Sequence, residues 1–250
     1  MKKNNMMRVA SALLVAVLLT SSVISGTFAK YVTSGNAGGS ARVAKWGVTF
    51  TAQSDLFKKT YNTDDKNYNS MVLSVESSDD KNVVAPGTTG TGYSFTTNGT
   101  PEVSYKVNFE QTKGTTPETV FLKNGAEEYY PVVFTMEFNG KKVTSDTQDI
   151  ATILNTVKNF TYYFDVNDKG DGKYYVSDDG GTTWTEQATA PALEISWAWD
   201  FDDAEGKGTN DTKDTALGNL AAGMDVEGYT EADYNLNVAF DITATATQID

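Results

Sequence analysis

From residue 41 onward, apolar and polar residues alternate with a period of two over most of the chain, the signature of half-buried strands. Ala44, Trp46, Val48 and Phe50 fall on one side of such a strip, and Lys45, Gly47 and Thr49 on the other. Val103, Tyr105, Val107 and Phe109 repeat the pattern, as do Val132, Phe134, Met136 and Phe138. Leu193, Ile195, Trp197 and Trp199 form a fourth strip, and Leu236, Val238, Phe240, Ile242 and Ala244 a fifth. Further strands are expected at Met71 to Val75, Gly92 to Thr97, Thr161 to Asp165 and Lys173 to Ser177. Asn139-Gly140 supplies the residue pair that a two-residue hairpin turn favours.

One segment departs from this period. Between Asp146 and Val157 the apolar residues Ile150, Ile153, Leu154 and Val157 sit at helical spacing, with Ser145 or Asp146 as the expected cap. Asp214 to Ala222 reads as a second short helix or a loop. Many short strands with Gly, Asn and Asp turns predict an all-β fold: an antiparallel β-sandwich, jelly-roll or Ig-like, with one or two short helices inserted. It occupies residues 41–250 as one domain, and the first core strand is expected to begin at Ala41.

The first 29 residues have a different composition. Lys2, Lys3 and Arg8 precede an apolar run from Val9 to Leu19, and Thr27-Phe28-Ala29 places small residues where a signal peptidase reads them. The run falls short of the roughly 20 residues that span a bilayer. Residues 1–29 are therefore read as a signal peptide cut between Ala29 and Lys30, which leaves a mature form that spans no membrane and is secreted. Residues 30–40 hold a short β-prone piece (Lys30, Tyr31, Val32, Thr33) and a flexible spacer from Gly35 to Ser40.

The block from Ser25-Gly26-Thr27-Phe28-Ala29-Lys30-Tyr31 through Ala41-Arg42-Val43-Ala44-Lys45-Trp46-Gly47-Val48 resembles the leader region of Gram-positive proteins handled by a SipW-type signal peptidase. Two stretches of the mature chain resemble the TasA/camelysin (CalY) family that carries such leaders. They are Ala85-Pro86-Gly87-Thr88 with the strand after it, and Trp197-Ala198-Trp199-Asp200-Phe201 with the acidic loop beyond. The resemblance implies a subunit of extracellular biofilm-matrix fibres at the cell surface. Its assembly would be by donor-strand complementation, in which Lys30, Tyr31, Val32 and Thr33 complete a neighbour's sheet.

Charge narrows the partners. Lys2, Lys3 and Arg8 lie in the leader, so residues 30–250 carry 17 basic against 33 acidic residues, a net −16. That surface repels nucleic acid and anionic lipid, so neither is an expected partner. The chain has no cysteine and no histidine. Disulfides are excluded, and stability must come from the core. Without histidine there is no Ser-His-Asp triad and no His-Glu-x-x-His zinc site, so no catalytic residue, metal or cofactor is assigned and a non-enzyme is expected. The alternatives are a camelysin-like secreted metalloendopeptidase, as that name implies, and a monomeric surface-binding module using aromatics such as Tyr129, Tyr130 or Trp184.

Three local motifs have structural readings. Ser177-Asp178-Asp179-Gly180-Gly181-Thr182-Thr183-Trp184 matches the Asp-box pattern known from sialidase propellers. A single copy makes a hairpin in which Asp179 accepts turn amides and Trp184 packs under the turn. Asp165 to Gly172 has calcium-loop-like spacing without the closing Glu, and reads as a solvated hairpin turn. Asp200, Asp202, Asp203 and Glu205 form a second acidic patch with an equally weak metal pattern.

Overall fold

The computed structural model describes residues 42–65, 71–145, 149–166, 172–201 and 210–249. The chain parts between Trp46 and Gly47, and residues 47–250 hold every described strand and helix. The signal cleavage site at Ala29 and Lys30 and the donor segment Lys30, Tyr31, Val32 and Thr33 lie outside the described residues, as do Asp202, Asp203 and Glu205.

The fold is all-β, with antiparallel sheets as the alternation predicts and, among the described residues, two short helices. The strands are β1 (Thr49–Ser54), β2 (Thr60–Asp65), β3 (Met71–Glu76), β4 (Thr88–Asn98) and β5 (Tyr105–Gln111). Next come β6 (Phe121–Asn124), β7 (Glu127–Tyr129), β8 (Val133–Phe138) and β9 (Lys141–Thr144). Helix α1 (Ile150–Val157) leads to β10 (Thr161–Asp165), β11 (Lys173–Ser177), β12 (Thr185–Gln187) and β13 (Leu193–Trp199). Helix α2 (Asp211–Ala221), β14 (Tyr234–Asn235) and β15 (Ile242–Gln248) finish the chain. One five-stranded sheet has the order β1-β4-β13-β8-β9 and the other β12-β11-β10-β5-β15; β14-β6-β7 and the β2-β3 hairpin are smaller sheets.

The inner faces of the two large sheets meet through aromatic side chains. Phe109 of β5 packs on Phe95 of β4 and Phe138 of β8, both with ring centroids 5.9 Å apart. Tyr162 of β10 bonds across to the Thr97 hydroxyl on β4, and burial pushes its phenol up to about 12. Phe134, Met136, Phe138 and Leu193 are wholly inaccessible. Each such side chain stabilises the fold by about 1.5–3 kcal/mol through burial, so this aromatic layer supplies what absent disulfides would otherwise add.

Helix α1 carries the chain from β9 in the first sheet to β10 in the second. Its spaced residues Ile150, Ile153, Leu154 and Val157 are all buried. The cap differs from the expected one. Asp149 accepts from the Thr152 amide at 3.2 Å, whereas Ser145 is buried and accepts from the Phe134 amide at 2.8 Å. Asp146 lies outside the described residues.

Two strand expectations shift. Residues 42–48 form no strand, and Trp46 is 38% exposed, so it is not a core residue. The first strand begins at Thr49, where register with Asn98 of β4 begins. Leu236 to Phe240 are not a strand either; only Ala239 makes a bridge, to Glu118, and the regular ladder starts at Ile242. Packing holds Phe240 in place instead, between Tyr93 and Phe134.

Turn chemistry follows the sequence. Thr88 N–H donates to the Ala85 carbonyl at 3.1 Å, with Pro86 and Gly87 between and Gly87 at φ 76°, the geometry of a type II turn. Asn139 and Gly140 both take positive φ, as a type I′ hairpin between β8 and β9 demands.

A candidate assembly edge

A sandwich of open sheets has edge strands whose outward amides and carbonyls lack strand partners, and folded proteins guard such edges with short length, charge, proline or bulges. Two of those devices, short length and charge, guard one end of each sheet here. Strand β9 has four residues and carries Lys141 and Lys142, tied to Asp178 at 3.1 Å and Glu137 at 3.0 Å. Strand β12 has three residues, with Glu186 bound to Lys173 at 2.8 Å.

The opposite ends lack these guards. Strand β15 runs Ile-Thr-Ala-Thr-Ala-Thr-Gln over seven residues, with no charge, glycine or proline. It keeps unbroken register with β5, from Ile242 opposite Gln111 to Gln248 opposite Tyr105. Its hydrogen-bond phase is fixed at both ends: Thr112 N–H donates to the Asp241 carbonyl at 3.0 Å, and Ile249 N–H to the Ser104 carbonyl at 3.1 Å. Antiparallel bonding alternates along a strand. The odd residues of β15 therefore bond β5, while Ile242, Ala244, Ala246 and Gln248 aim their main-chain groups at the free edge. The Ile242 amide is taken by the Tyr93 hydroxyl. Among the described residues no other strand pairs there.

Side chains leave this edge accessible. Ala244 and Ala246 are small and point inward, while Thr243, Thr245 and Thr247 line the outer face beside Glu110, Asn108 and Lys106. Strand β1 (Thr-Phe-Thr-Ala-Gln-Ser) is a second uncharged edge, one residue shorter. The expected strip from Leu236 to Ala244 overlaps β15 only at its start, so the edge is not apparent from it. The usable signal was the Thr-Ala-Thr-Ala-Thr repeat, which has β-branched residues on one face and small ones on the other.

The other candidate residues sort by what they touch. Tyr129 donates to Asp214 at 2.6 Å and Tyr130 to Glu128 at 2.9 Å, so both hydroxyls have internal partners. Trp184 sits edge-on to Tyr163 at 4.9 Å, and Tyr163 stacks on Tyr175 at 4.8 Å on the outer face of the second sheet. The Asp-box hairpin forms as read. Asp179 accepts from the amides of Thr182 and Thr183 at 2.9 and 3.0 Å and from the Thr183 hydroxyl at 2.6 Å, which holds its carboxyl well below the usual carboxylate range. Trp184 lies against Gly181 within that turn and remains 36% exposed.

Among the described residues no group of three or more carboxylates is placed to hold a metal ion, and no helix is long and apolar enough to cross a membrane. Residues 167–171 of the calcium-like loop lie outside the described residues. Comparison of the chain with family models, curated proteins and solved structures finds no match.

Proposed function

We propose that this protein is an exported structural subunit that assembles into extracellular biofilm-matrix fibres by strand addition between copies. The observation that carries the reading is the unguarded β15 edge. A strand seated there gains main-chain hydrogen bonds for affinity, and its alternate side chains set register. The segment Lys30 to Thr33, tethered by the Gly35 to Ser40 spacer, is the donor in this reading. A contact between an N-terminal segment of one copy and an edge of the next does not close on itself, so it propagates as a filament. The leader resemblance assigns export to a SipW-type peptidase with cleavage after Ala29.

The bonding phase of β15 supplies a test that separates assembly from folding. Ala246→Pro removes an amide that points away from β5, whereas Thr245→Pro removes one that bonds β5. The expected result is that Ala246→Pro stays folded and stops polymerising, while Thr245→Pro is destabilised. Deleting Lys30 to Ser34 should also abolish filaments with little change in unfolding temperature. Filaments that persist in both the deletion and the Ala246→Pro variant, seen by electron microscopy, would overturn the reading.

A second reading, a monomeric surface-binding module, is favoured by one observation: the exposed Trp184 with the half-buried Tyr163 and Tyr175 beside it on the outer sheet face. The metalloendopeptidase alternative rests on the family resemblance alone.

A further inference from the structure

The outer face of the first sheet carries a cleft of about 310 Å³. Ser94, Ser196 and Thr135 alternate along their strands with the buried Phe95, Ile195, Trp197 and Met136, so their hydroxyls point away from the core. Gln53, Ser94, Glu194 and Glu137 form one row across β1, β4, β13 and β8, and Ser196 and Thr135 are paired in the next. All six line the cleft, where short side chains lie between longer ones.

A β-bulge opens the ladder at the same place. From Ile195 to Trp197 β13 advances two residues while β4 advances three, from Tyr93 to Gly90. The extra residue falls at Thr91-Gly92, which also line the cleft, and a bulge leaves main-chain groups outside the ladder. Gly92 has φ 105°, and a Cβ there would find no atom nearer than the Asp55 carbonyl at 4.0 Å, so this stretch of backbone is open to close approach.

Charge here works against the sheet. Glu194 stands directly opposite Glu137, and like charges so placed are destabilising. Lys142 answers Glu137 at 3.0 Å, whereas among the described residues no lysine or arginine pairs with Glu194. Local rules broken at a cost to the fold concentrate at functional sites.

From the row of hydroxyls, the bulge and the unanswered carboxylate, we propose that this cleft binds a protonated amino sugar, its ammonium group at Glu194 and Glu137 and its hydroxyls on Ser94, Ser196, Thr135 and Gln53. Hydroxyl and amide side chains both give and take hydrogen bonds, as sugar hydroxyls do, while a carboxylate only accepts. A neutral sugar meets the hydroxyls and leaves Glu194 unpaired. A simple alkylammonium ion meets the charge and leaves the hydroxyls unused, and the acidic surface repels anions. The volume lies at the lower end of the roughly 300–1,000 Å³ of small-molecule sites. Strand β15 belongs to the other sheet, so this binding does not depend on fibre assembly.

The test titrates the purified protein with glucosamine hydrochloride, at a pH that keeps the amine protonated, and with glucose, N-acetylglucosamine and ethanolamine hydrochloride at matched ionic strength. The amide resonances of Ser94, Thr135, Glu194 and Ser196 report binding. The expected result is a saturable shift of these resonances with glucosamine. Its affinity should exceed that of glucose and N-acetylglucosamine about tenfold or more, the usual worth of a hydrogen bond to a charged group, and should also exceed that of ethanolamine, which lacks the ring. Glu194→Gln keeps the shape, removes the charge and relieves the like-charge pair, so it should unfold no earlier than the parent and lose the preference for glucosamine. Glu110→Gln, on the outer face of the second sheet, should keep it. An equal response to glucose or to ethanolamine, a preference unchanged in Glu194→Gln, or shifts scattered over the acidic surface would overturn the proposal. Tighter binding of calcium chloride at the same resonances would overturn it in favour of a metal ion.

Discussion

Trp197 donates its indole N–H to the main-chain carbonyl of Leu56 at 2.9 Å, and both residues are almost wholly buried. The bond ties the loop after β1 to the middle of the first sheet. Phe57 stacks on the same indole at 5.6 Å and Tyr61 meets it edge-on at 5.9 Å. Room for this arrangement comes from Gly90 of β4, where any Cβ would run into the Leu56 carbonyl and the indole nitrogen.

Replacing Trp197 with Phe should therefore destabilise the protein by about 2–4 kcal/mol, from lost packing and an orphaned Leu56 carbonyl. Gly90→Ala should cost a comparable amount without deleting any contact, since it overpacks the same point. Denaturant unfolding of both variants checks this. A Gly90→Ala variant within about 0.5 kcal/mol of the parent, the range of an unremarkable surface change, would refute the steric account.

Asp179 tests the Asp-box hairpin. Its hydrogen bonds to Thr183, Ser177 and Thr182 lower its pKa from 3.8. A lowered folded value means the contribution is present above the unfolded value and lost as pH falls through the folded one. The Thr182 and Thr183 amides should thus be protected from exchange at neutral pH and still at pH 3.8, losing protection progressively as pH falls from there through the lowered folded value. In Asp179→Ala they should be unprotected throughout. Protection that survives in the alanine variant would show that other contacts hold the turn.

Asp214 behaves with the opposite sign. Burial raises its folded value above 3.8, so its contribution is largest below that pH and declines as pH rises through the folded value. Asp214→Asn keeps an acceptor for Tyr129 and Trp199 but cannot ionise. The stability of the native protein relative to Asp214→Asn should fall as pH rises from 3.8 and level off above the folded value. A difference that stays flat from pH 3 to 8 would mean that Asp214 titrates alike in the folded and unfolded chains.

Gly218 gives a change in the stabilising direction. It is exposed in the interior of α2, where a Cβ meets open space. Gly218→Ala should stabilise the protein by about 0.5–1 kcal/mol, because alanine loses less backbone entropy on entering a helix. Thermal unfolding measures this, and an unchanged midpoint would indicate that α2 frays before the global transition.

Much of the fold was legible in the sequence because its physical causes are local. Alternation set Leu193–Trp199 to the residue, since side chains two apart share a face and Leu193, Ile195, Trp197 and Trp199 are all buried; the bounds expected for Thr161–Asp165 and Lys173–Ser177 also hold, although Thr161 with Tyr162 and Val176 with Ser177 are buried on both faces. Asn139-Gly140, Pro86-Gly87 and the Asp box likewise fold through bonds within a few residues of themselves.

What tertiary structure alone decided are the properties that depend on a distant partner. Trp46 alternates as a core residue does, yet β4 offers register only from Asn98 back to Tyr93, so the first strand starts at Thr49. Phe240 alternates equally well and is held by Tyr93 and Phe134 rather than by a ladder. The exposed edge of β15 follows from sheet order, and the burial of Asp214 from the approach of Tyr129 and Trp199, residues remote from it in the chain. A local pattern fixes which face of a strand turns inward, but strand neighbours and the surroundings of a carboxylate are set by how the sheets close over one another.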